Sequence, residues 1–132
     1  MKNIIVVAAL LKKDNKILIA RRSTGNDSVL GKWEFPGGKV EPNETEEQAI
    51  EREINEEFMI TIKAQKYITN TVHIYPTKTV DLRLYECTYV SGNITLHDHY
   101  EYKWIDIKDL LTYNLAPADI SLATYLKESN YE

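Results

Sequence analysis

Cysteine is nearly absent from this chain, with Cys87 the one thiol among 132 residues. A lone cysteine excludes an internal disulfide framework and a thiolate metal site, and it fits a reducing, cytoplasmic setting. Four prolines and five glycines are too few for a fibrous or low-complexity chain and confine turns to a handful of places. No apolar run approaches the ~20 residues that would cross a bilayer. The opening MKNIIVVAALLKK carries a lysine and a short apolar stretch, as a signal peptide does, yet no small-residue cleavage site precedes the next apolar stretch, ILIA. Neither secretion nor a membrane partner is expected. Cationic excess is lacking too: a net charge of −4 argues against a coat for nucleic acid polymers.

What remains is ordinary globular material, 43% hydrophobic and 27% charged. Its length suits one domain spanning residues 1–132, with one core and room for one site. The acid is concentrated: residues 44 to 57 hold seven Glu against one Arg, which leaves the rest of the chain slightly positive and able to receive an anionic small molecule.

Ile4 to Leu11 and Ile17 to Ala20 are apolar and rich in β-branched residues, and Asp14-Asn15 between them tolerates turn geometry, so they read as a strand pair. A short strand, WEF, follows a polar loop and runs into a glycine loop at Pro36-Gly37-Gly38. Thr45 and Gln48 have capping-box spacing, which predicts a helix from about Thr45 to Phe58. Tyr67 to Tyr75 and Val80 to Tyr89 form a hairpin around Pro76-Thr77, Tyr100 to Ile105 is a further strand, and Ala118 to Lys127 is a terminal helix after Pro117. In that last helix the apolar set is Ile120, Leu122, Ala123 and Leu126. Strands with two inserted helices predict an α/β fold, a mixed sheet covered on both faces.

On the first helix, Glu57 falls about 40° and Glu56 about 60° to either side of Glu53, while Ile50, Ile54 and Phe58 form an adjacent apolar stripe. Three carboxylates in the last turns oppose the helix dipole at ~0.3–1 kcal/mol each, and their mutual repulsion adds a few tenths. Something positive is expected beside them. Arg52 lies about 100° around the helix from Glu53 and is not expected to face all three. A hard dication answers better, since it takes carboxylate oxygens together with substrate phosphates; a solvated acidic face is the plain alternative. The preceding Gly37-Gly38 lets backbone approach a ligand, and Lys39 supplies a point charge for phosphate.

Residues 38 to 60, GKVEPNETEEQAIEREINEEFMI, resemble the Nudix box: a Gly, five residues, a Glu, seven residues, then Arg-Glu-apolar-any-Glu-Glu-any-Gly-apolar. Gly38, Glu44, Arg52, Glu53, Ile54, Glu56, Glu57 and Ile60 match, and Met59 stands in place of the last glycine. If that position is a left-handed helix cap, methionine costs roughly 1 kcal/mol and the helix exit is open to change. Beyond the box, LIARR, LGKWEFPGGKVE, HDHYEYKW and LAPAD are similar to small MutT-like members of the family. The resemblance implies the Nudix α/β/α sandwich, and hydrolysis of a nucleoside diphosphate linked to another group with Mg²⁺ or Mn²⁺. It also implies metal ligation or base chemistry by Glu53, Glu56, Glu57 and the Gly37 carbonyl, with Glu53 as base, Arg52 orienting a catalytic glutamate and Glu44 supporting the loop. Asp98 falls where such proteins carry a further acidic metal ligand. The expected partner is a nucleotide, and the expected assembly a monomer or homodimer.

Arg22, Phe35 and Asp119 are the base-side candidates by their places in LIARR, WEFPGG and LAPAD. A carboxylate at Asp119 accepts from an exocyclic amine, or serves simply as an acid in the first turn of a helix. LAPAD leans toward cytidine-type substrates (CTP, dCTP, modified dCTP), with 8-oxo-dGTP and ADP-ribose hydrolysis and a noncatalytic nucleotide-binding module as alternatives. His97 and His99 flank Asp98 and are expected to line the mouth of the site rather than bind zinc, because no third ligand stands nearby. Of the strand tyrosines, one is available to stack on a base.

Overall fold

The computed structural model describes residues 2–25 and 27–131. Among these residues seven strands form one mixed sheet: β1 (Lys2–Lys13), β2 (Lys16–Arg22), β3 (Trp33–Glu34), β4 (Gly37–Lys39), β5 (Thr61–Ile74), β6 (Lys78–Ser91) and β7 (His99–Ile105). The order β3-β2-β1-β6-β5 puts β1 at the centre, with β4 also paired to β1 and β7 to β2. β1 and β6 run parallel, a long-range pairing with no local signal in the sequence.

β1 reads as continuous apolar residues because both of its faces are covered. Val7, Ala9 and Leu11 meet the helix α1 (Glu46–Phe58) on one face, while Ala8 and Leu10 meet the helix α2 (Pro117–Glu128) on the other. The result is an α/β/α sandwich with one core under each helix. Asp14 and Asn15 both have positive φ, 53° and 64°, which closes the β1–β2 hairpin in two residues.

α1 begins at the Thr45 cap, where the reciprocal bonds with Gln48 form the capping box. Ala49, Ile50, Ile54 and Phe58 are buried on the sheet, and the larger three contribute about 1.5–3 kcal/mol each by leaving water. The helix exit keeps its left-handed cap although methionine occupies it: Met59 has φ 61° and its N–H reaches the Asn55 carbonyl. A 3-10 turn, Ile107–Thr112, links β7 to α2 and was not legible from periodicity.

Two expectations are corrected. Gly37 and Gly38 are not a loop; they are β4, paired with Ala8 and Val7 of β1. A Cβ on Gly37 would strike the Val7 carbonyl, and one on Gly38 would strike the Glu53 carboxylate, so both glycines are required for β4 to lie between β1 and α1. In α2, Ile120 is 47% exposed and does not belong to the buried face, which is formed by Ala118, Asp119, Leu122, Ala123 and Leu126. Asp119 stands three, four and seven residues before Leu122, Ala123 and Leu126, which is the spacing of one helix face.

Candidate active site

α1 and β4 bring the acidic residues to the edge of a hollow of about 460 Å³, lined by Arg22, Gly37, Gly38, Lys39, Glu41, Glu53, Glu56, Glu57 and Asp98. Most of the site residues expected from the sequence therefore converge here. Glu44 sits beneath the wall of the hollow and acts through Arg52. The guanidinium donates to both Glu44 oxygens, at 3.0 and 2.6 Å, and to the Lys39 carbonyl at 3.1 Å. These bonds, with the Glu41 amide, hold the Glu44 carboxyl down to about 2.

Arg52 reaches further than its helical angle suggests. Its Nη1 lies 2.7 Å from Glu53 and 3.4 Å from Glu56, so its long side chain spans two of the three acids. Glu57 is the one left over. Its Oε2 is buried with no hydrogen-bond partner. Burial first, then the charges of Glu53 and Glu34, push its carboxyl up to about 9, against the opposing pull of Arg22.

Asp98 is exposed at the rim, and His97 is exposed but lines neither this hollow nor the one adjoining it, whereas His99 is buried. Its side chain has no accessible surface and packs against Phe58 with ring centroids 5.1 Å apart, so the expectation that it lines the mouth is corrected. Its Nε2 lies 2.8 Å from Glu34. Glu34 went unnoticed in the sequence. The available signal was a single acid between Trp33 and Phe35, two large residues that are both buried.

A second hollow of about 340 Å³ adjoins the first and shares Arg22, Gly38 and Lys39 with it; Tyr75 and Lys78 from the β5–β6 hairpin form another wall. The Phe35 side chain lines neither hollow; the residue is 3% exposed and belongs to the core. The backbone N–H of Phe35 donates to Asp119 Oδ1 at 3.0 Å. Asp119 does stand in the first turn of α2, where free amides favour its charge. Burial outweighs them, and with the nearby Glu34 charge it raises the Asp119 carboxyl well above the usual range. Asp119 is close enough to Tyr75 for its charge to add to burial in raising that hydroxyl.

The donor set suits a hard dication: clustered carboxylate oxygens, one of them buried and unpartnered, beside a strand that glycine leaves bare. Among the described residues no three Asp, Glu, His or Cys side chains already enclose a common point. Arg52 accounts for this by drawing Glu53 and Glu56 toward itself.

The NUDIX domain model matches residues 6–124. The chain is 38% identical over 122 residues to the CTP pyrophosphohydrolase of Escherichia coli (strain K12), covering 92% of this chain and 90% of the relative. It is 34% identical over 114 residues to the 8-oxo-dGTP diphosphatase of Buchnera aphidicola subsp. Schizaphis graminum (strain Sg), covering 86% and 85%. The crystal structure of the MutT protein from Methanosarcina mazei Go1 superposes with a TM-score of 0.85 at 28% identity, over 99% of this chain and 97% of that one. The chain belongs to the Nudix family and is a Nudix hydrolase. Members of that family generally use divalent metals, and no helix among the described residues is long and apolar enough to cross a membrane.

Proposed function

We propose that this chain hydrolyses nucleoside triphosphates to the monophosphate and pyrophosphate with Mg²⁺ or Mn²⁺, preferring cytidine nucleotides, as one domain working in the cytoplasm. The observation that carries the reading is the convergence of Glu53, Glu56 and Glu57 on one hollow, with a buried oxygen of Glu57 left unpaired. Glu53, Glu56, Glu57 and the Gly37 carbonyl would hold the dication, with Asp98 reaching in from the rim. When bound, the dication neutralises phosphate charge and makes phosphorus accessible to water.

The chain's own residues divide the remaining work. Glu53 takes the proton from the attacking water, since Gly38 leaves its carboxylate room at the wall and Arg52 fixes its direction. Glu44 anchors Arg52 from below. Arg22 and Lys39, which line both hollows, face the phosphates.

The LAPAD segment supports the cytidine preference, because the Asp119 carboxyl accepts a hydrogen bond from an exocyclic amine such as that of cytosine. The relative named for CTP hydrolysis points the same way.

Release of pyrophosphate from CTP, dCTP, 5-methyl-dCTP, dGTP and 8-oxo-dGTP, and of AMP from ADP-ribose, each with Mg²⁺, tests the proposal. Cleavage of cytidine triphosphates above the others is the expected result. A preference for 8-oxo-dGTP or ADP-ribose would overturn the base assignment, and uniform inactivity would mark a nucleotide-binding module.

A further inference from the structure

β7 joins β2 with a register shift at the site. Ile17 to Arg21 pair in regular order with Ile105 to Glu101, but Arg22 pairs with His99, so Tyr100 is left over. An extra residue of this kind re-aims the side chains beside it. Tyr100 turns outward and is 56% exposed, whereas His99 turns inward to full burial of its side chain.

There, His99 Nε2 meets Glu34 Oε2 at 2.8 Å, while Nδ1 has no hydrogen-bond partner. Glu34 also accepts from Arg22 Nη1 at 3.4 and 3.3 Å, so its carboxylate is an acceptor and the ring proton lies on Nε2. Arg22 has a second tether, from Nε to the Thr24 carbonyl at 3.0 Å. The two tethers leave its guanidinium on the border of both hollows.

We propose that His99 is a positioning residue for nucleotide binding: it fixes Glu34 through a buried hydrogen bond, and Glu34 holds the Arg22 guanidinium where the substrate's phosphates meet its nucleoside. This rests on the pyrophosphohydrolase reading above. His99 is sealed from the hollows; it stacks on Phe58, packing that an apolar replacement keeps, and its side-chain hydrogen bond is to Glu34. Its loss therefore weakens the grip on the nucleotide without touching the attacking water.

The test is steady-state triphosphate hydrolysis by the full chain carrying His99→Leu, His99→Gln, Glu34→Gln or the Leu and Gln changes at 99 and 34 together, with folding checked by circular dichroism. His99→Leu is expected to raise KM by about tenfold or more while kcat stays within about twofold, as for a lost bond to a charged group that serves binding. His99→Gln, whose amide can still donate to Glu34, is expected to return KM to within about twofold of the parent. Adding His99→Leu to Glu34→Gln is expected to raise KM no further, because the uncharged amide no longer grips the Arg22 guanidinium whether or not His99 still donates to it.

A folded His99→Leu with unchanged KM, a fall confined to kcat, or effects that add in the double variant would overturn the proposal. If the leucine variant does not fold, a parental KM in His99→Gln with a raised KM in Glu34→Gln sustains it, and any other pairing overturns it. A parent chain that hydrolyses no triphosphate defeats the proposed function and this inference together. An active parent whose KM ignores His99 defeats this inference alone.

Discussion

Glu44 and Glu57 bracket α1 and occupy opposite environments. Arg52 grips Glu44 in two bonds and holds its carboxyl down to about 2, so it is a fixed anion that anchors the wall. Glu57 lies in the last turn, half-buried beside other acids, and is pushed up to about 9. The same side chain is a clamped anion at one end and a carboxyl with an unpaired buried oxygen at the other. The difference shows what the helix lacks: Arg52 satisfies one end of the acidic stripe and leaves the other short of positive charge.

The largest break in that contrast should come from Glu53→Gln, which sits between the two ends. Removing the proposed base is expected to cost about 10²–10⁴ in turnover while the fold survives, read by pyrophosphate release and circular dichroism. Full activity would transfer the base role to another glutamate.

At the buried carboxyl beneath the Phe35 amide, Asp119→Ala is expected to lower the CTP-to-dGTP ratio of kcat/KM by about tenfold or more, the scale set by unpaired hydrogen-bonding groups. Asp119→Asn, whose amide oxygen still accepts from an exocyclic amine, should stay within about threefold of the parent. If both variants keep the parental ratio, Asp119 lies outside the pocket; if asparagine behaves as alanine does, the ionised form reads the base.

Glu57→Gln sharpens the comparison through pH. The Glu57 carboxyl titrates higher in the folded chain than its ordinary 4.5, so its neutral form is favoured by folding. Its stabilising contribution is complete below the ordinary value and is lost as pH rises through about 9. Without divalent metal, parent and variant should melt alike near pH 5, and the variant should melt higher near pH 9. A melting difference that does not change with pH would contradict the assignment. The smallest effect is expected at Met59→Gly, where relief of a left-handed φ of 61° should stabilise the chain by about 1 kcal/mol in denaturant melts, with activity unchanged.

The sequence carries α1 in full because its signals are local: Thr45 caps, Gln48 answers, and Ile50, Ile54 and Phe58 repeat at helical spacing. The hairpin turn at Asp14-Asn15 is legible for the same reason. What escapes reading depends on partners far along the chain. Glu34 and His99 meet across 65 positions, and the inward turn of His99 needs a register shift opposite Arg22 that no window of residues contains. Gly37 and Gly38 read in sequence as bare backbone open to a ligand, but only the packed sheet shows that Val7 and Glu53 require them. Asp119 lay within reach, since its spacing to Leu122, Ala123 and Leu126 places it on the buried face.

Calorimetric titration of Mg²⁺ into the parent chain, with and without nucleotide and in buffers of differing ionisation heat, tests the account at its centre. Divalent uptake with proton release near pH 7, both lost when Glu53, Glu56 and Glu57 are replaced together by glutamine, is the predicted result. No uptake under either condition, or equal uptake by the triple variant, would contradict it.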